Sequence, residues 1–236
     1  MVPILWIHGF PLSSAIFEPQ KRIEGYRHIT PDLRGFGSAP APDGETSMAT
    51  YARDVLATVD ADRFVLAGFS MGGYIAMEVM RQVPERIAAV LLLDTRETPD
   101  TDEARANRYK QAEDVEKNGI ASVVNAMLPK MVVQDDFRDE VRRIMESATP
   151  AGVIAALKAM ATRPDSTETL RTATMPAFVI VGDRDEITPV RDAERMVSLL
   201  PNAEMAPIAR AAHMANYEAS EQVNNIIAAF LGRALR

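Results

Sequence analysis

Short, continuous apolar runs alternate along the chain with longer stretches in which apolar residues recur every three to four positions. Six runs have strand length: Val2–Ile7, Tyr26–Thr30, Arg63–Ala67, Ala88–Leu93, Ala177–Val181 and Ala203–Ile208. Most are apolar throughout rather than alternating, as expected of strands covered on both faces. Such runs, separated by helical patterns, predict an α/β fold: a doubly wound, mostly parallel sheet of about six strands with helices on both faces. The intervening segments carry helix signals. Ser47 is placed to N-cap a helix whose Met48, Tyr51, Val55 and Val59 share a face. A helix after Ser70 turns Ile75, Met77, Val79 and Met80 toward a buried surface. Pro189 at a first helical position and Pro201 beyond the end bracket another. The last helix carries Val223, Ile226, Ile227, Phe230 and Leu231 at helical spacing.

Residues 96–172 break this rhythm. They hold about four helical patterns and no good strand, with Gly119 expected to end the first, Pro129 the second and Pro150 the third. A crossover between parallel strands needs only about a dozen residues. The segment therefore reads as a helical cap, residues 96–172, inserted into a core of residues 1–95 and 173–236.

Composition narrows the field. A chain of 236 residues with 47% hydrophobic and 25% charged residues has the balance of a globular protein, which excludes a disordered or fibrous one. Acidic residues outnumber basic ones 33 to 26 and no basic block occurs, so no nucleic-acid partner is expected. The absence of Cys removes disulfides, thiolate nucleophiles and Cys-ligated metals together. The apolar start Val2–Trp6 lacks a basic flank and runs straight into His8-Gly9, unlike a signal peptide, and no run reaches membrane-span length. A cytoplasmic protein without membrane partners is the expectation.

The strongest local signal is Gly68-Phe69-Ser70-Met71-Gly72, a G-x-S-x-G between a strand and a helix. A nucleophile on a sharp strand-to-helix turn leaves no room for side chains two residues either side, and the helix N-terminus behind it offers N–H groups to developing negative charge. The bare pattern would also fit a tight turn with an incidental serine; the strand before it and the helix after it favour the nucleophile. A serine nucleophile needs a base, and the chain has three histidines. His28 lies inside an apolar strand and reads as structural. His8 ends the first strand and shapes the loop Gly9-Phe10-Pro11, whose Phe10 N–H would join that of Met71 in an oxyanion hole. Elimination leaves His213, just after the last strand. The orienting carboxylate falls in the loop Gly182–Pro189, where Asp183, Asp185 and Glu186 all qualify.

On these residues the chain resembles the α/β-hydrolases of the serine esterase and lactonase type, nearest in its motifs to carboxylesterase and 3-oxoadipate enol-lactonase-like members. His8-Gly9-Phe10-Pro11 resembles the oxyanion loop, Asp32-Leu33-Arg34-Gly35-Phe36-Gly37-Ser38 the D-x-R-G-x-G-x-S segment, and Gly68–Gly73 the nucleophile elbow. Gly182-Asp183-Arg184-Asp185 is similar to G-x-x-D before a T-P pair, which implies Asp185 as the acid. His213–Glu218 is similar to the H-x-x-x-x-E around the catalytic histidine. The resemblance implies a cofactor-free, metal-free hydrolase of small carboxylic esters or lactones, with Ser70, His213 and Asp185 as triad and Phe10 and Met71 as oxyanion hole. Other outcomes on the same fold are a C–C bond hydrolase, an aminopeptidase-like enzyme or a triad-bearing ligand receptor. Serine at the elbow disfavours the dehalogenase and epoxide hydrolase branches, and Met214 after His213 disfavours a hydroxynitrile lyase, where Lys is expected.

Two departures stand out. Members usually begin with an antiparallel strand pair before the strand ending in H-G, whereas this strand starts at Val2; six strands with an open edge suit pairing with a second copy of the chain. Ala211-Ala212 precedes His213 where Gly is common. Met127, Leu128, Met131 and Met160 are candidates for an apolar acyl pocket, though packing between cap helices explains most of them. Arg96, Arg105 and Arg108 are candidates to meet a substrate carboxylate, with a solvated helix face as the simpler reading.

Overall fold

A computed structural model describes residues 2–236. Its elements, in chain order, are β1 (Ile4–Ile7), β2 (His28–Ile29), α1 (Met48–Leu56), β3 (Phe64–Phe69), α2 (Met71–Gln82) and β4 (Ile87–Leu93). Five helices follow: α3 (Asp102–Asn118), α4 (Ala121–Met131), α5 (Arg138–Glu146), α6 (Pro150–Ala161) and α7 (Thr167–Arg171). The chain closes with β5 (Ala177–Gly182), α8 (Val190–Leu199), β6 (Ala203–Ile208), α9 (Ala215–Glu218) and α10 (Ser220–Ala234).

The six strands form one sheet in the order β2-β1-β3-β4-β5-β6, every neighbouring pair parallel. Residues alternate between its faces. Leu5, Ile7, Leu66, Val90, Leu92, Val179 and Val181 pack in a cluster with residues of α1, α2 and α8. Ile4, Trp6, Val65, Ala67, Leu91, Phe178 and Ile180 pack in another with residues of α10. Both faces being covered is the reason these strands are apolar throughout. β2 is the shortest strand, paired with β1 only at Ile4↔His28 and Leu5↔Ile29, because Gly25 turns the chain in at φ +85° and Pro31 has no N–H to continue the ladder.

The register puts all the strand C-termini on one side. Ile7 is level with Gly68, Gly68 with Leu92, Leu93 with Ile180, and Gly182 with Ile208. Chain order reverses between β1 and β3, and open α/β sheets bind ligands at such a switch point, beyond the strand C-termini.

Several helix boundaries differ from expectation. α4 runs through Pro129 to Met131 rather than ending there. Pro129 and Asn125 are both exposed, so the carbonyl left without its N–H partner faces water and the break is tolerated. Pro150 opens α6 instead of following α5 directly; it occupies the first turn, and the Thr149 hydroxyl caps the Gly152 N–H at 3.0 Å. Pro189 is the cap residue before α8 rather than its first residue. Val59 reaches the core from the turn after α1, whose helix stops at Leu56. Gly119 does end α3, at φ +78°.

Within 96–172, α3 and α6 pack on each other and join the first cluster through Ala112, Val115, Val153 and Leu157. α4 and α5 join the second through Val124, Leu128, Met131, Val141 and Met145. The short α7 packs instead against α2 and α8. The same segment, residues 96–172, also meets loops at the C-terminal side of the sheet: Thr149 N–H donates to Gly35 O at 2.9 Å and Met214 N–H to Met131 O at 2.9 Å. Among the described residues no helix is long and apolar enough to cross a membrane.

Candidate active site

The strand ends deliver four loops to one place. After β3, Ser70 turns the chain into α2 with φ +52° and ψ −115°, a conformation L residues rarely adopt. The turn is held on three sides: Ser70 N–H donates to Leu93 O (2.9 Å), while Ser70 O accepts from Gly73 N–H (2.8 Å) and from the Thr95 hydroxyl (2.7 Å). The glycines around it are there for space. A Cβ on Gly68 would lie 2.4 Å from Gly72 O, and one on Gly72 would lie 2.0 Å from Ile7 O. Side chains at either position would push α2 off β1 and β3.

After β6, the loop carrying His213 crosses directly over the end of β5, where a Cβ on Gly182 would lie 2.1 Å from Ala212 O. This closeness brings the imidazole to the serine: His213 Nε2 and Ser70 Oγ are 2.8 Å apart. The opposite nitrogen, Nδ1, is 2.8 Å from Asp185 Oδ2, and the Phe69 ring packs against the imidazole at 5.1 Å between centroids. Asp185 is itself fixed by its own loop, accepting from the N–H groups of Ile187 (2.7 Å) and Thr188 (3.0 Å) and from the Thr188 hydroxyl (2.6 Å). Burial pushes its carboxyl up, but the adjacent His213 and these hydrogen bonds outweigh that and hold it below the usual carboxylate range.

The three acids of this loop separate cleanly. Asp183 and Glu186 are exposed, and Asp183 accepts from Arg210 N–H at 2.7 Å, which ties the β5 and β6 loops together. Only Asp185 is buried against the imidazole. Relative exposure falls from 8% at Ser70 to 5% at Asp185 and 0% at His213, so the serine is the member of the set nearest solvent.

Met71 is the first residue of α2, so its N–H has no partner within the helix. Phe10 follows Gly9, whose added Cβ would lie 3.0 Å from Ser70 Cβ; the β1 loop thus runs in van der Waals contact with the elbow. His8 anchors that loop. Its Nε2 accepts from Leu33 N–H (2.9 Å), so Nδ1 carries the proton to Gly9 O (2.9 Å). Complete burial lowers its pKa to about 4 and keeps it neutral. The His28 ring accepts from Trp6 Nε1 (3.0 Å) and donates to Ile23 O (3.0 Å).

Asp94 escapes notice in the sequence. It follows β4 at φ +44°, fully buried, with one oxygen accepting from Gly182 N–H at 2.8 Å and the other making no hydrogen bond of normal length among the described residues. Burial, and then the charge on Asp185, raise its pKa well above the ordinary value. Thr95, which holds the elbow, follows it; the only trace of either is a polar pair ending an apolar run. Of the apolar cap candidates, Leu128, Met131 and Met160 are core residues, and Met127 alone is partly exposed where the two clusters meet. The three arginines are all engaged: Arg96 with Asp192 (3.1 Å), Arg105 with Asp102 (3.3 Å) and Arg108 with Asp100 (2.6 Å). Among the described residues no group of three or more His, Asp or Glu side chains is arranged to hold a metal ion.

Parallel sheet, strand-order switch point and strand-end elbow together define an α/β-hydrolase architecture. The family model of the alpha/beta hydrolase fold matches residues 2–220, and the chain belongs to that family. The AB hydrolase superfamily protein YisY of Bacillus subtilis is 28% identical over 97% of this chain and 91% of its own. A thermophilic esterase from Thermogutta terrifontis superposes with a TM-score of 0.94 at 33% identity, covering 100% of this chain and 91% of that one. The enol-lactonase of Burkholderia xenovorans LB400 shares the fold, with a TM-score of 0.90 at 21% identity over 99% and 92% of the two chains.

Proposed function

We propose that the protein is a cofactor-free serine hydrolase of small carboxylic esters or lactones. The observation that carries this reading is the unbroken relay Ser70 Oγ, His213, Asp185, with both contacts at 2.8 Å. Ser70 attacks the carbonyl carbon while His213 Nε2 takes the hydroxyl proton. Asp185, aligned by Thr188, fixes the Nδ1–H tautomer and stabilises the imidazolium that forms. The N–H groups of Phe10 and Met71 receive the oxyanion; losing one such donor typically costs about 10²–10³ in turnover. His213 returns the proton to the leaving oxygen, and water then repeats the sequence on the acyl-enzyme. Residues 96–172 act as the cap over this site, with Met127 its substrate-facing side chain. The esterase activity named for the Thermogutta protein, 33% identical over the whole chain, supports an ester rather than a C–C bond as the target. A cytoplasmic setting and self-association through the β2 edge complete the reading.

Hydrolysis of p-nitrophenyl acetate and butyrate tests it, with a fluorophosphonate as site label. The parent is expected to turn over and to be labelled at Ser70 alone. A folded Ser70→Ala protein with parental turnover, or a parent inert to both esters and to a lactone panel, overturns it.

A further inference from the structure

His213 is not held by the sheet alone. The residues on either side of it are both tied to the insertion, in the segment Met131–Gln134 at the C-terminal end of α4. Met214 N–H donates to Met131 O at 2.9 Å. Ala212 N–H donates to Glu218 Oε2 at 2.7 Å, and the other oxygen of the same carboxylate accepts from Val133 N–H (2.7 Å) and Gln134 N–H (2.8 Å). Glu218 is buried at the end of α9, and no Lys or Arg among the described residues lies within 4.0 Å of its carboxylate. Its charge is balanced by three peptide N–H groups from two segments about 80 residues apart in sequence. An uncharged side chain of this length would satisfy fewer of them. The Phe137 and Tyr217 rings meet edge to face at 5.6 Å beside the same junction.

A carboxylate in this position does more than fill hydrogen bonds. It makes the insertion and the loop of the base one piece, so the reach of Nε2 to Ser70 follows the position of the segment at the end of α4. We propose that Glu218 is a positioning residue: it clamps the Met131–Gln134 segment of the insertion to the residue preceding His213, and so sets the imidazole's approach to Ser70. This rests on the serine-hydrolase reading above. A misplacement of the base lowers kcat at nearly constant KM, because the ester still reaches the site but proton transfer needs hydrogen-bond distance.

The test compares Glu218→Gln with Gln134→Pro. In Glu218→Gln the side chain would keep one acceptor oxygen and present an amide donor toward N–H groups that need acceptors. Gln134 is exposed with φ −86°, close to the proline value, so the substitution buries nothing new; it removes the N–H to the Glu218 carboxylate together with the side-chain amide bond to Glu218 O (3.3 Å), both of them links between the same two segments. Both are assayed with p-nitrophenyl butyrate, and kcat is divided by the concentration of Ser70 titrated with fluorophosphonate, which removes any loss of folded protein. Per titrated site, kcat is expected to fall about 10²-fold in Glu218→Gln and about tenfold in Gln134→Pro, with KM within about twofold of the parent. The double variant is expected to match Glu218→Gln, since both changes cut one link. Parental kcat per site in both single variants, whatever their melting temperatures, overturns the proposal; so does a double variant whose loss is the product of the singles. A parent that neither turns over nor titrates instead defeats the serine-hydrolase reading itself.

Discussion

Acidification should weaken the fold through one buried imidazole. His8 has no exposed surface and is neutral by hydrogen bonding, with its pKa lowered from 6.5 to about 4. Below pH 6.5 the unfolded chain charges this group while the folded chain does not until about pH 4. The unfolded state therefore binds more protons across that window, and stability falls as pH falls. At about 1.36 kcal/mol per pKa unit the loss reaches about 2 kcal/mol by pH 5 and about 3 kcal/mol by pH 4. The assay is urea unfolding by tryptophan fluorescence near pH 7.5 and pH 5, on the parent and on His8→Gln. Gln cannot titrate there, yet its carbonyl oxygen can accept from Leu33 N–H. Asp94, with its raised pKa, shifts stability the opposite way in the same window, so the quantity to read is the difference between the two proteins. The parent should lose about 2 kcal/mol more than His8→Gln between the two pH values. Equal losses would refute the reasoning, because they would mean that His8 takes its proton as readily when folded as when unfolded.

Other consequences can be checked in the same protein. Asp185→Asn is expected to lower kcat by about 10⁴, by leaving the imidazole free to take the wrong tautomer, whereas Asp183→Asn should leave kcat within a few fold and lower the melting temperature slightly, because the bond from Arg210 N–H persists to the amide oxygen without its charge assistance. A larger kcat loss at Asp183 reverses the assignment. Met127→Trp should shorten the preferred acyl chain across a p-nitrophenyl ester series, since Met127 is partly exposed whereas Met131 and Met160 are buried, and an unchanged profile removes it from the pocket. Asp94→Asn should flatten the decline in stability as pH rises above 3.8. In the parent the folded carboxyl keeps its proton there while the unfolded one loses it, so melting curves of equal pH slope would count against this.

The parts of this molecule that the sequence betrays are those where chemistry demands particular residues at close spacing. Gly68 and Gly72 are readable because any Cβ there strikes backbone, and the G-x-S-x-G pattern records that collision directly. The three apolar runs ahead of Ser70, Asp185 and His213 lie parallel in one sheet, Phe69 level with Ile180 and Ala206, so chain order and strand direction bring the loops that follow them to the same side of the sheet. What stayed hidden depends on distant contacts. Pro129 looks like a helix end, and only the exposure of Asn125 shows why α4 continues. Glu218 looks like the last letter of a motif; its partners Val133 and Gln134 are backbone groups, which carry no signature in a sequence. The pairing of α3 with α6, and the docking of α7 on α2 and α8, are likewise set by tertiary packing among helical patterns that look alike.

The elbow also decides which control variant means anything. Ser70 sits at φ +52° and ψ −115°, and conformations of this kind cost about 1–3 kcal/mol in a residue with a Cβ. The cost is borne because Leu93 O, Gly73 N–H and the Thr95 hydroxyl fix the peptide groups on both sides of the residue. None of these contacts uses the Ser70 side chain. Ala at position 70 has the same Cβ and the same penalty, so Ser70→Ala should keep the turn, the spacing of Phe10 and Met71 and the parental stability to within about 0.5 kcal/mol. Gly at position 70 has no Cβ to clash, so Ser70→Gly releases the strain, offset in part by glycine's larger entropy when unfolded. Its stability should therefore exceed that of Ser70→Ala, and both should lack turnover. A Ser70→Gly protein less stable than Ser70→Ala would show that the turn is not strained at Ser70. The loss of activity in the alanine variant could then be assigned to the missing hydroxyl only after the elbow's conformation had been measured directly.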